Sequence, residues 1–247
     1  MIRDYAGSKR PPLQLIGKEA LAVLGSALLM PFGIRRPKRK TVRKAEQRTV
    51  VFVHGYLANA ATFYPLRAYL YLRGIPQVLF FNYRSSDGVE AGARQLKEYL
   101  RKHVRGGRID LVCHSLGGLV ARAYLQDLGG HRRVDRCVTL ATPHKGTYNA
   151  YWLASRIGRE VRPDSPLIER LSSSKGKSER VRFTSIVAGS DNIIIPRVFS
   201  ANEETIHVPD LGHVGLTFSP TVFRIVAELL TKPLDRKMLA RVLHEGS

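Results

Sequence analysis

Ser115, Asp191 and His213 are the residues of this 247-residue chain whose types and spacing suit nucleophilic acyl transfer. A serine hydroxyl is a poor nucleophile until a base takes its proton, and the base in turn needs a carboxylate to fix its tautomer. Ser115 lies in IDLVCHSLGGLVARAYL, residues 109–125, where an apolar run of strand type breaks into a helical pattern across one serine. Such a junction places the hydroxyl on a strained turn. Small residues at Cys113 and Gly117 let neighbouring backbone come close, and the helix behind the serine aims its positive end at the reaction centre. A purely structural turn serine is the competing reading, and the Gly117–Gly118 pair after the junction weighs against it.

Five histidines follow Ser115: His131, His144, His207, His213 and His244. On a strand–helix topology the partners come in the order serine, acid, histidine. His131 follows two glycines at a helix end, His207 sits within the short strand TIHVP, and His244 belongs to the tail. His213 falls in the loop PDLGHVGLTF between the last strand and the last helix, where a base above a sheet belongs. Asp191 ends the strand FTSIVAGSD and is the expected acid. Asp210, three residues from the base, is the rival, and Asp164 in the segment before is a weaker one.

Acyl transfer also needs two fixed N–H donors for the carbonyl oxygen as it gains charge. The amide of Leu116, next after the serine, is one. The other is expected from Tyr56 or Leu57, in the loop of VVFVHGYLANAATF that His54 and Gly55 shape. His54 is read as a hydrogen-bonding loop residue, with no proton-transfer role.

These residues need a scaffold, and from residue 47 the chain alternates β-branched apolar runs with helical patterns, the mark of a parallel sheet covered on both faces. Strands are expected at 49–53, 77–83, 109–113, 136–141, 183–188 and 205–208, and helices at 90–105, 116–128 and 221–230. The two cysteines, Cys113 and Cys137, lie inside strand runs, so a disulfide framework or a four-ligand zinc site is not available, and both read as small buried hydrophobes.

The N-terminal 47 residues differ in kind. Residues 13–34 are mostly apolar, and their uninterrupted part, 20–34, would be about 22 Å long as a helix, short of the roughly 30 Å of a bilayer core. Arg35, Arg36, Lys38, Arg39, Lys40, Arg43 and Lys44 follow at once, a run that favours anionic lipid by about 1 kcal/mol per charge. Together they suggest membrane contact on the cytoplasmic side. An extra helix packed on the domain and a cleaved signal are the alternatives, and no A-x-A-like site precedes the basic run. A formal net charge of +20 points the same way, toward anionic surfaces. No nucleic-acid-reading module is present, so nucleic acid is not the expected partner. The expected organisation is an N-terminal unit at 1–47, a catalytic domain at 48–232 and a tail at 233–247.

VHGY at 53–56, CHSLGG at 113–118, ATPHKGT at 141–147, AGSDNIIIP at 188–196 and LGHVGL at 211–216 occur in the order found in bacterial lipases. Over residues 48–230 the chain resembles a small lipase or esterase of the α/β-hydrolase superfamily, with Cys113 replacing the first glycine of the usual G-x-S-x-G. The resemblance implies an α/β-hydrolase fold of about six mostly parallel strands, the triad Ser115, Asp191 and His213, and an oxyanion hole near Tyr56 and Leu116. It also implies hydrolysis of carboxylic esters, acylglycerols among them, and no cofactor; some related lipases hold a structural calcium, but the sequence shows no matching carboxylate cluster and no metal is expected.

Residues 144–180 leave the sheet and return, and read as a short cap where substrate preference is written. Tyr148, Trp152 and Leu153 are its candidate substrate-binding residues; with Tyr151, Ile157, Leu167, Ile168 and Leu171 they form an apolar face that either meets an acyl chain or packs the cap on the core. Two other function classes fit the sequence: an acyltransferase on the same scaffold, which would prefer an alcohol or amine acceptor over water, and a non-catalytic lipid- or nucleic-acid-binding module.

Overall fold

The computed structural model describes residues 2–4, 12–34, 48–75, 77–173, 180–194 and 204–233. The basic run at 35–44, most of the polar stretch at 172–178, residues 195–196 of the fourth motif, His244 and nearly all of the 233–247 tail lie outside these.

Five strands are built from runs rich in Val, Ile, Leu and Phe: β2 (Thr49–Val53), β3 (Val78–Phe81), β4 (Ile109–His114), β5 (Val134–Leu140) and β6 (Arg182–Ala188). With β1 (Ile2–Asp4) and β7 (Glu204–Val208) they make a seven-stranded sheet in the order β1-β7-β6-β5-β4-β2-β3. Every pairing is parallel. All six expected strands are present, and the sheet gains β1 at its far edge. Three residues of a polar N-terminus carry no hydrophobic pattern to announce a strand; β1 exists through its register with Thr205, Ile206 and His207 of β7. The strand expected at 77–83 stops at Phe81, where its pairing with Val53 of β2 ends. Asn82 turns to other work, accepting the Ala60 amide and donating to the Gly33 carbonyl.

Successive strand residues face opposite layers. Val51 and Val53 of β2 point into one core with Leu111, Cys113, Leu119 and Leu125, beneath α3 (Val89–His103) and α4 (Leu116–Asp127). Val50 and Phe52 point into the other with Leu66, Leu70, Val226 and Leu229, beneath α2 (Tyr64–Leu72) and α7 (Pro220–Thr231). Burial on both faces explains why the strands read as unbroken apolar runs. Both cysteines are buried thiols.

Between β5 and β6 the segment expected as a cap forms a 3-10 turn at Tyr148–Trp152 and two short helices, α5 (Arg156–Glu160) and α6 (Pro166–Ser173). Its apolar residues divide. Ile157, Leu167, Ile168 and Leu171 are buried in the α3–α4 core, whereas Tyr148, Tyr151, Leu153 and Trp152 are exposed, Trp152 to 90%.

Helix α1 (Pro12–Ile34) is one continuous 23-residue helix, about 34 Å long at 1.5 Å per residue. Residues Leu13–Gly33 are long and apolar enough to cross a membrane, by length and composition. Leu13, Ile16, Leu21, Leu24, Leu28 and Phe32 are exposed. A helix leaves its last carbonyls without intrahelical donors, and side chains of the β2–β3 region supply them here: Asn59 Nδ2 donates to Met30 O at 2.8 Å, Tyr64 Oη to Phe32 O at 3.2 Å and Asn82 Nδ2 to Gly33 O at 3.0 Å. Gly33 is required for that seat, because a Cβ there would lie 2.0 Å from Asn59 Oδ1.

Candidate active site

In an open parallel sheet the loops that follow the carboxyl ends of the strands share one edge, and ligand sites gather there. Five such loops do so here, after β2 (His54 to Leu57), β4 (Ser115), β5 (Ala141 and Thr142), β6 (Asp191) and β7 (His213).

Ser115 is the hinge between β4 and α4, with φ 52° and ψ −123°. A side chain in that region carries strain of about 1–3 kcal/mol, sustained when the surroundings over-determine it. They do: Ser115 N donates to Leu140 O at 2.8 Å, while Ser115 O accepts from Gly118 N and from Thr142 Oγ1, both at 3.0 Å. The sharp turn brings α4 hard against β2. A Cβ on Gly117 would sit 2.4 Å from Val53 O and 2.6 Å from His54 O, and one on Gly55 would sit 3.0 Å from Ser115 Cβ. The loop after β2 is therefore packed directly on the serine.

His213 Nδ1 lies 2.8 Å from Asp191 Oδ2. The other carboxylate oxygen accepts the amides of Ile193 at 2.8 Å and Ile194 at 2.9 Å. Burial pushes the Asp191 carboxyl up, but the hydrogen bond and charge of His213 and the two loop amides outweigh it and hold the group below the usual carboxylate range. With its acceptor on Asp191, the imidazole carries its proton at Nδ1, and Nε2 is the basic atom. Asp191, and not Asp210 or Asp164, meets this histidine; Asp164 accepts from Tyr151 Oη at 2.7 Å within the cap.

The ring of His213 packs on that of His114, the residue before the serine, with centroids 5.0 Å apart. Sequence reasoning passed over His114. It is fully buried, and its Nε2 donates to the carbonyl of His213 at 3.2 Å; burial drives its pKa down to about 3, so it stays neutral. The chain also hid Glu19 of α1, whose carboxylate accepts the amides of Val214 at 2.6 Å and Gly215 at 2.9 Å, directly after His213. A lone acid inside an apolar helix was the available signal for it.

Of the expected oxyanion donors, Leu116 opens α4, where first-turn amides have no intrahelical acceptor. Leu57 is a correction. Its amide donates to Ser85 Oγ at 2.9 Å, and its side chain stands exposed in a left-handed conformation with φ 51°. Tyr56 is the candidate left in this loop. His54 is a loop-ordering residue: Nδ1 donates to Gly55 O at 2.9 Å and Nε2 accepts the Tyr83 amide at 3.3 Å, with burial lowering its pKa to about 4. His144 is likewise buried, between Thr139 Oγ1 and Arg122. His131 binds the Leu125 carbonyl at a helix end, and His207 lies within β7. Among the described residues no three His, Cys, Asp or Glu side chains converge as a metal site.

The cap reaches the acid loop through Thr147 Oγ1, which donates to Ile193 O at 2.9 Å, and Asn149 Nδ2, which donates to Asn192 O at 2.7 Å. Tyr148, Trp152 and Leu153 thus stand exposed on a segment tied to the loop that holds Asp191.

Comparison with known proteins identifies the architecture. Residues 33–154 match a family described as a domain of unknown function, DUF7379. A curated relative, the lysosomal thioesterase PPT2 of Mus musculus, is 27% identical over 141 residues, which are 53% of this chain and 46% of that protein, so the chain spans about half the length of the relative it matches. The lipase BlEst2 of Bacillus licheniformis in its propeptide form superposes with a TM-score of 0.66 at 14% identity, over 78% of this chain and 52% of that one. The phospholipase PlaB of Legionella pneumophila in complex with thio-NAD gives 0.52 at 19%, over 58% and 38%. An esterase-type structure from Burkholderia cenocepacia gives 0.55 at 16%, over 80% and 93%. The fold is that of the α/β-hydrolases.

Proposed function

We propose that the protein is a serine carboxylic-ester hydrolase of the lipase and esterase kind, with Ser115 as nucleophile, His213 as general base and Asp191 as the orienting acid. One observation carries this reading: His213, held at Nδ1 by Asp191, packs on the residue next to a serine that sits on a strained strand-to-helix turn. Strain of this kind persists where it serves a purpose.

Ser115 Oγ attacks the ester carbonyl carbon as its proton passes to Nε2 of His213. The amides of Tyr56 and Leu116 receive the developing oxyanion, and Asp191 stabilises the imidazolium without taking its proton. Collapse of the intermediate breaks the bond to the alcohol, which leaves with the proton from Nε2. Water then enters by the same route and releases the acid. The positive end of α4 favours negative charge throughout.

Lipid esters are the substrate class that the surroundings support. Trp152, Tyr148, Leu153, Leu57 and Ile193 are exposed apolar side chains on the loops around the site. Helix α1 adds an exposed apolar surface, and the basic run after it would meet anionic headgroups, so the enzyme acts at a membrane surface on the cytoplasmic side. The lipase and phospholipase among its structural neighbours agree with that substrate class. Thioesters are a second acyl class for the same triad, favoured by the resemblance to a mouse thioesterase.

Hydrolysis of p-nitrophenyl esters of rising chain length and of an acyl thioester, by wild type and by Ser115→Ala, tests the reading. Turnover that Ser115→Ala abolishes is expected, greatest with long acyl chains and raised by anionic vesicles. Equal rates in the two proteins would overturn it.

A further inference from the structure

We propose that Glu19 is a positioning residue for the general base, so that the apolar helix α1 is a working part of the catalytic apparatus; this rests on the reading of His213 as that base. The observation is a single peptide unit. The His213–Val214 peptide is held at both ends: its carbonyl accepts from His114 Nε2 at 3.2 Å, and its N–H donates to Glu19 Oε1 at 2.6 Å. The second oxygen of the same carboxylate takes the next amide, Gly215 N, at 2.9 Å. Charge-assisted bonds of this sort are about twice as strong as neutral ones.

The loop is shaped to receive the carboxylate. A Cβ on Gly212 would lie 2.3 Å from Glu19 Oε2, and one on Gly215 would lie 3.0 Å from it. Glycines thus flank His213 at −1 and +2, and the side chain of α1 fills the space they leave. The partners are 195 and 196 residues apart in the chain. Glu19 is also the one acidic residue of α1 and stands beside Lys18 in a mostly apolar helix. The helix is moored at its other end as well, through Asn59, Tyr64 and Asn82, to the segments that follow the oxyanion loop and β3. It bridges the loop of the base and the neighbourhood of the oxyanion donor, and fixing the backbone of His213 fixes where Nε2 points.

An imidazole set askew by about 1 Å loses about 100-fold in rate, which sizes the effect. Ester hydrolysis is measured for the full chain as wild type, Glu19→Ala, Glu19→Gln, His213→Ala and the Glu19→Ala/His213→Ala double variant, with a short soluble ester. Glu19→Ala is expected to lower kcat about 10- to 100-fold with KM within about twofold. Glu19→Gln keeps one acceptor oxygen and falls between, and its thermal unfolding stays near that of wild type, which supplies the comparison if the alanine variant folds poorly. In the His213→Ala background the same Glu19→Ala change is expected to alter the residual rate by less than about twofold, because the group it positions is gone. Wild-type kcat in both Glu19 variants, or an equal loss in both backgrounds, would overturn the proposal while leaving the triad intact. A wild-type rate in His213→Ala alone would instead remove the base assignment.

Discussion

Asp191 Oδ2 receives His213 Nδ1 at 2.8 Å while its partner oxygen holds the amides of Ile193 and Ile194. The carboxylate is thereby fixed from the loop side and points one lone pair at the imidazole. These donors converge on it, and a side-chain amide, with one acceptor oxygen, could not face both the loop and the imidazole as an acceptor.

Asp191→Asn is therefore expected to keep the fold and lower kcat by about 10⁴-fold, the worth of the orienting acid where this triad is known. The amide presents a donor where an acceptor is needed and drives the imidazole to the wrong tautomer. Steady-state kinetics beside a circular dichroism spectrum checks both parts.

Acid should unfold the protein in two stages. His54 and His114 are buried neutral, with pKa values lowered by burial to about 4 and about 3. Between the unfolded value of about 6.5 and those values, the unfolded chain binds more protons than the folded one. Stability is then full above about pH 6.5 and falls with acid by up to about 1.4 kcal/mol per pH unit for each histidine. Asp191, held below its ordinary value, adds stability above the carboxylate range that is lost only at lower pH. Urea unfolding from pH 8 to 4 measures this, and His54→Gln should flatten the upper stage.

Strain at Ser115 makes activity and stability oppose each other. Ser115→Ala keeps a Cβ at φ 52° and Ser115→Gly does not, so both are inactive and the glycine variant is the more stable, by about 1 kcal/mol after its backbone entropy is counted. Differential unfolding of the two variants decides it.

Exposure divides the cap. Trp152→Ala should leave the melting temperature unchanged and reduce hydrolysis of long-chain esters in anionic vesicles while sparing a short soluble ester. Leu171→Ala should destabilise by about 2–5 kcal/mol, since Leu171 is fully buried. The two variants, measured in both assays, show which cap residues meet substrate and which hold the cap down.

What the sequence made legible follows distance along the chain. The turn at Ser115 is local, a strand, a serine and two glycines close together, and so are the loops that place Asp191 and His213 after their strands. Contacts that close across the fold left no such trace. Nothing near Leu57 announces that Ser85, 28 residues on, takes its amide. The His114 bond to the His213 carbonyl spans 99 residues, and the Glu19 bonds span 195 and 196. β1 shows the same limit at the level of fold, for it is made by register with β7 and not by its own pattern.

The most direct test of the account is covalent labelling. The folded chain is incubated with a fluorophosphonate, and the site of attachment is read by peptide mass spectrometry in wild type, Ser115→Ala and His213→Ala. One adduct on Ser115 is expected, absent from Ser115→Ala and formed at least about 100-fold more slowly in His213→Ala. A folded wild type that takes no label, or an adduct on another residue that persists in Ser115→Ala, would contradict it.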